Sequence, residues 1–245
     1  MQPVLKFALT LFVLVAGTLG VAAADLSGWG IVLLHGKGGG PGGMRPVEAA
    51  LRAAGASTVA PTMSWSSGYV TYEQALDEVG AYVRQLKGQG AKRIAIVGQS
   101  IGANVALGYG AQRRGINAVV AMAPGHQPDR FYPRTQESLE RAKAMIAAGH
   151  GNETASFLDI NQGAVSTVQT TAAAYASFFD PKGKAVISRN AGAGGAKLLW
   201  VVGTGDPGAQ QVARGGRVVT VPAGHFTTVQ AGAQDVVEWL RAQER

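Results

Sequence analysis

The sequence has no cysteine. That excludes a disulfide framework, a cysteine-ligated zinc or iron–sulfur centre, a thiol nucleophile and a cysteine lipid anchor. Histidine is sparse as well, with only four residues: His35, His126, His150 and His225. They are scattered and form no HExxH pair, so no metal site is expected. Charged residues make up 15% of the chain against 47% hydrophobic ones. Disorder requires the opposite balance, so the 245 residues read as one folded domain with a sizeable core. Long basic runs are missing too. Lysine and arginine occur singly or in pairs such as Lys92-Arg93 and Arg113-Arg114, without interleaved aromatics. The formal charge of +7 is therefore read as a solvated basic surface, and no nucleic-acid partner is expected.

One apolar run is present, at the N-terminus. Lys6 supplies a positive start, Phe7 to Ala22 is apolar, and Ala22-Ala23-Ala24 precedes Asp25. This pattern is that of a secretory signal cleaved after Ala24. The run is shorter than the roughly 20 residues of a bilayer span. The expectation is an exported protein, periplasmic or secreted, comprising residues 25–245 and not held in a membrane after cleavage.

Strand and helix patterns alternate along the rest of the chain, which predicts an α/β fold with a mostly parallel sheet covered by helices. Ile31 to Leu34, Ser57 to Ala60, Arg93 to Val97, Ala118 to Met122, Leu198 to Val202 and Val218 to Val221 are the expected strands. Thr71 and Gln74 form a capping box ahead of an amphipathic helix reaching Leu86. Val229 to Leu240 reads as one closing helix. Residues 125–196 interrupt the rhythm. No clear strand is visible there, and helical patterns occur around Leu139 to Ile146 and Val165 to Phe179. A plain loop of that length is improbable, so an inserted helical cap is expected.

The chemistry concentrates at predicted strand ends. Gly98-Gln99-Ser100-Ile101-Gly102 is a G-x-S-x-G pentapeptide between a strand and a helix, the setting of a nucleophile elbow. A serine hydroxyl needs a base. His225 follows the last strand and Asp206 follows the one before it. Ser100, Asp206 and His225 would then meet at one sheet edge as nucleophile, acid and base. Asp129, Asp159 and Asp180 are rival acids, and His126 and His150 are spare histidines. None of these sits at a comparable strand end. Oxyanion donors are expected from the backbone N–H of Ile101 and from that of Lys37, or else Gly38, in His35-Gly36-Lys37-Gly38-Gly39. His35 itself is expected to brace this loop. Gly38, Gly40 and Gly43 match a dinucleotide fingerprint poorly, because Pro41 interrupts it and no acidic residue ends the next strand.

Together these motifs resemble the α/β-hydrolase superfamily, in its serine hydrolase or esterase-like branch, from Gly30 to Leu240. The resemblance implies a doubly wound sheet, a serine nucleophile, no metal and no organic cofactor. The interruption at 125–196 falls where that family inserts its cap. The short interval from Asp206 to Val218 leaves little room for the usual helix there. The expected substrate is a small-molecule or lipid-like carboxylic ester. Peptidase or amidase action, acyl transfer and non-catalytic binding on the same fold are the alternatives. The pocket is expected to be mainly apolar, with Met63, Trp65 and cap aromatics as candidate lining. No convergent set of arginines is visible in the sequence.

Overall fold

The computed structural model describes residues 25–192 and 194–243. The expected leader lies outside the described residues. Among the described residues, no helix is long and apolar enough to cross a membrane.

The chain begins with β1 (Trp29–Leu34), α1 (Arg45–Ala53), β2 (Ser57–Val59) and α2 (Tyr72–Gly88). It continues through β3 (Arg93–Ser100), α3 (Ile101–Gln112) and β4 (Ala118–Pro124). An insertion follows, made of α4 (Pro128–Ala147), β5 (Thr154–Asn161), β6 (Ala164–Thr171) and α5 (Ala172–Phe179), with a short α6 (Ile187–Asn190) behind it. The last part is β7 (Lys197–Gly203), α7 (Pro207–Gln210), β8 (Arg217–Val221), α8 (Thr228–Ala231) and α9 (Ala233–Ala242).

Six strands pair in the order β2-β1-β3-β4-β7-β8, all in parallel. Successive side chains of a strand point to opposite faces, and in the four central strands β1, β3, β4 and β7 both faces are buried. Val32, Ile96, Val119 and Leu198 form one row across the sheet, and Leu33, Val97, Val120 and Leu199 form the next. The first row packs under α2, α3 and α5. The second packs under α1 and α9. A parallel sheet covered on both faces has apolar strands throughout, which is why the sequence announces them as continuous runs. Thr71 caps α2 as expected, its hydroxyl accepting from Gln74 N and its own N–H donating to Gln74 Oε1 at 2.9 Å.

The strand order reverses between β1 and β3, and ligands of open α/β sheets bind at such a switch point, beyond the carboxyl ends of the strands. The loop after β1 carries His35 to Gly39, and β3 ends at Ser100.

Two expectations are corrected. The insertion contains the helices α4 and α5, but the stretch from Val165 is not helical at its start. Residues 154–171 form an antiparallel hairpin, with Asn161 opposite Ala164. Gln162 and Gly163, both with positive φ (49° and 83°), make the two-residue turn that suits the twist of a hairpin. Val165, Val168 and Thr171 repeat at a helical spacing, yet the β-branched content of β6 favours a strand. The closing helix is also divided, at Gly232, which ends α8 and precedes α9. There the backbone runs so close to β7 that a Cβ would lie 2.4 Å from Val201 Cγ1.

Candidate active site

Ser100 sits on the turn from β3 into α3, with φ 57° and ψ −119°. A non-glycine residue held in such a sparsely populated region costs of order 1–3 kcal/mol. The surroundings enforce it. A Cβ at Gly98 would lie 2.2 Å from Gly102 O, and a Cβ at Gly102 would lie 2.3 Å from Leu34 O. Only glycine at both positions lets the turn close this tightly. On the neighbouring strand, Gln99 pairs with Met122 but Ser100 pairs with Pro124. Ala123, with φ 42°, is the extra residue of that bulge, and bulges re-aim adjacent side chains.

The structure brings Ser100, His225 and Asp206 together. His225 Nδ1 lies 2.6 Å from Asp206 Oδ2, and its Nε2 lies 2.9 Å from Ser100 Oγ. A carboxylate only accepts, so Nδ1 carries the proton and Nε2 is left to accept from the serine hydroxyl. Asp206 is fixed on its other side as well, since its Oδ1 accepts from Ala209 N at 3.1 Å and caps α7. That helix has only one turn, in keeping with the short interval expected there. All three residues are buried.

The rival acids lie elsewhere. Asp159 pairs with Lys37 Nζ at 2.6 Å, and Asp180 pairs with Lys143 Nζ at 3.2 Å. Asp129 is exposed in the first turn of α4. His150 is exposed and paired with Glu153. His126 is buried, and burial, assisted by the nearby Lys37 charge, pushes its imidazole down to about 3. Its Nε2 bonds Phe178 O at 2.9 Å.

His35 braces the loop after β1. Its Nε2 accepts from Met63 N at 2.9 Å, so Nδ1 carries the proton that goes to Gly36 O at 2.7 Å. Burial holds its basicity below the usual histidine range. Trp65 Nε1 donates to His35 O at 2.8 Å. Met63, through its backbone N–H, and Trp65, through its indole, brace this loop; both side chains are buried in the core and line neither of the two clefts that join at Ser100.

Two backbone donors face the same end of the sheet. Ile101 is the first residue of α3, so its N–H has no partner within the helix. Gly38 N–H is occupied, donating to Trp65 O at 3.1 Å, whereas Lys37 N–H has no partner among the described residues. The Lys37 side chain runs to Asp159 Oδ1 and, at 3.0 Å, to Ile160 O on β5. Burial pulls its ammonium down while Asp159 opposes that pull. The loop after β1 is thereby tied to the hairpin.

Ser100 lies where two clefts join. The smaller, about 240 Å³, runs along the glycine-rich loop to Phe226 and Val229. The larger, about 370 Å³, lies under the insertion and includes Lys37, Gln127, Arg130, Phe131, Arg134 and Ile160. The apolar pocket expected from the sequence is therefore corrected: two arginines of α4 converge on this cleft. Three further supports escaped the sequence reading. Gln99 Nε2 reaches His225 O at 3.4 Å, and Asn104 Nδ2 donates to His126 O at 2.7 Å. Tyr72 in turn donates to Asn104 Oδ1 at 3.0 Å. None of these has a local sequence signal, because each contact spans many residues.

The family model described as "Alpha/beta hydrolase family" matches residues 31–239. The chain belongs to that family. No curated protein matches it. Among solved structures, this α/β hydrolase is similar to a monoacylglycerol lipase of Paleococcus ferrophilus, with 20% identity and a TM-score of 0.64 over 90% of this chain and 96% of that one. It is also similar to a thermostable carboxyl esterase of Bacillus coagulans, with 14% identity and a TM-score of 0.62 over 88% and 89% of the two chains. A structure from work on carboxylesterases of Nitrososphaera gargenis gives 16% identity and a TM-score of 0.54 over 90% and 91%. At these identities the likeness is one of fold, and it agrees with the parallel sheet of this α/β hydrolase.

Proposed function

We propose that this α/β hydrolase is an exported serine hydrolase that cleaves carboxylic esters. The observation that carries the reading is the hydrogen-bonded chain from Asp206 through His225 to Ser100, on a strained turn at the floor of a cleft. Ser100 Oγ attacks the acyl carbon while its proton passes to His225 Nε2. The carbonyl oxygen becomes an oxyanion between the N–H groups of Ile101 and Lys37. One such donor contributes about 2.7–4 kcal/mol to lowering the barrier. His225 then protonates the departing alcohol, and an acyl group remains on Ser100. Water, deprotonated by His225, releases the acid and restores the serine. Asp206 holds the imidazole in the accepting tautomer and stabilises its cationic form.

Ester rather than amide cleavage is supported by the ester-cleaving names of the structures it resembles. Export is supported by the leader pattern at residues 1–24, and the exported chain is expected to begin at Asp25. The test is a panel of matched 4-nitrophenyl esters and 4-nitroanilides of the same acyl groups. Ester turnover exceeding anilide turnover by at least about 100-fold is expected. Comparable rates on both would favour the amidase reading.

A further inference from the structure

Four basic side chains project from α4, and they are not equivalent. Arg141 donates to Ser156 O and lies 4.9 Å from the centre of the Phe157 ring. Lys143 pairs with Asp180. These two fasten the helix to its surroundings. Arg130 and Arg134 make no ion pair among the described residues. Arg130 Nη1 donates to Gln127 Oε1 at 3.1 Å, and Arg134 Nη1 reaches Gly163 O at 3.5 Å. Both acceptors are neutral, so most of each guanidinium fork is left over. The acids nearest in sequence, Asp129 and Glu137, are not bonded to them.

Their place gives this surplus a direction. Spaced four residues apart, the two arginines share one helix face, and both line the larger cleft beside Ser100. Among the described residues, the single carboxylate lining that cleft is Asp206, which is already committed to His225 and Ala209. Lys37 is neutralised by Asp159. The cleft therefore presents two uncompensated guanidinium groups among amide and backbone groups from Gln127, Asn161, Gln162 and Gly163. Planar guanidinium forks match carboxylate and phosphate oxygens two at a time.

Resting on the ester-hydrolase reading, we propose that the substrate is an anionic ester, whose carboxylate or phosphate group is held by Arg130 and Arg134 while Ser100 attacks its ester carbonyl. The two arginines are then specificity determinants that bind the end of the substrate away from the reacting carbon.

Two matched substrate pairs test this. 4-Nitrophenyl hemiglutarate against 4-nitrophenyl valerate places a carboxylate on the acyl side. 1-Butyryl-glycerol 3-phosphate against 1-butyryl-glycerol places a phosphate on the alcohol side. kcat/KM is measured for the wild-type protein and for the double variant Arg130→Ala/Arg134→Ala. Both side chains are exposed, so the variant is expected to keep its melting temperature, and the readout is the ratio of anionic to neutral kcat/KM within each pair. The wild type is expected to prefer the anionic member of at least one pair, and the variant to lose about tenfold or more of that preference. The pair affected identifies the anion and the side of the ester that carries it. The preference should also weaken as salt is added. Neutral-ester turnover with anionic-to-neutral ratios unchanged within twofold in both pairs would overturn this inference and leave the hydrolase reading standing. A wild-type protein that turns over none of the four esters would overturn both.

Discussion

Asp206→Asn is expected to lower kcat by about 10⁴-fold, the size of effect known for the equivalent change in the best-studied triad, while the protein stays folded. The geometry explains why so small a change acts so strongly here. Asp206 accepts two hydrogen bonds, one from Ala209 N on Oδ1 and one from His225 Nδ1 on Oδ2. Asparagine has one accepting oxygen and one donating nitrogen. Turned so that its oxygen meets Ala209 N–H, it keeps the cap of α7 and presents its NH₂ to His225. Nδ1 must then accept, the ring proton moves to Nε2, and Nε2 can no longer take the proton of Ser100. The opposite orientation sets the NH₂ against Ala209 N–H, two donors face to face in a buried place. The backbone cap therefore selects the unproductive tautomer. Steady-state kinetics beside circular dichroism check this. Near-wild-type turnover would contradict it, since Asp129, Asp159 and Asp180 all lie away from His225.

Gly102→Ala is expected to damage stability and activity together. The new Cβ would lie 2.3 Å from Leu34 O, 2.7 Å from His35 O and 2.8 Å from Leu34 C. All three are backbone atoms at the end of β1 and the start of the loop that presents Lys37 N–H. No flexible side chain can move aside, so either α3 or that loop must shift. Overpacking costs about 1–3 kcal/mol where side chains can adjust, and the rigid contact places this variant at about 3 kcal/mol or more. A displacement of about 1 Å at a reacting site costs on the order of 100-fold in rate, so kcat/KM should fall at least that far. Gly88→Ala is the control. It lies at the end of α2 with nothing within 4 Å of its Cβ position, and it should leave both quantities close to wild type. Urea denaturation and ester kinetics on the two variants decide. A Gly102→Ala protein within about 0.5 kcal/mol of wild type would contradict the steric account.

The sheet and the meeting of Ser100, Asp206 and His225 were legible for the same physical reason. A strand buried on both faces must be apolar throughout, so β1, β3, β4 and β7 stand out in the sequence, and a polar residue just beyond such a run lies at the sheet edge. The insertion offers no such contrast. β6 is mostly exposed and rich in threonine, and its valines repeat at a spacing that a helix shares. Only Gly163 of its two-residue turn suits a positive φ, and Gln162, which adopts one beside it, has no special preference for it. The cleft was the least legible part. The glycine-rich motif points to the Lys37 backbone N–H, while its side chain meets Asp159 at a separation of 122 residues. Arg130 and Arg134 look like ordinary surface charges of α4 until the helix is laid across Ser100 and its neighbouring basic residues are seen to be engaged elsewhere.

The most direct test of the central claim is covalent labelling of the protein expressed from the full sequence with a fluorophosphonate probe, read by intact mass beside a Ser100→Ala control. The account predicts a chain beginning at Asp25 that gains one adduct, and no adduct in the control. A folded wild-type protein that gains none, or a Ser100→Ala protein that still gains one, would contradict it.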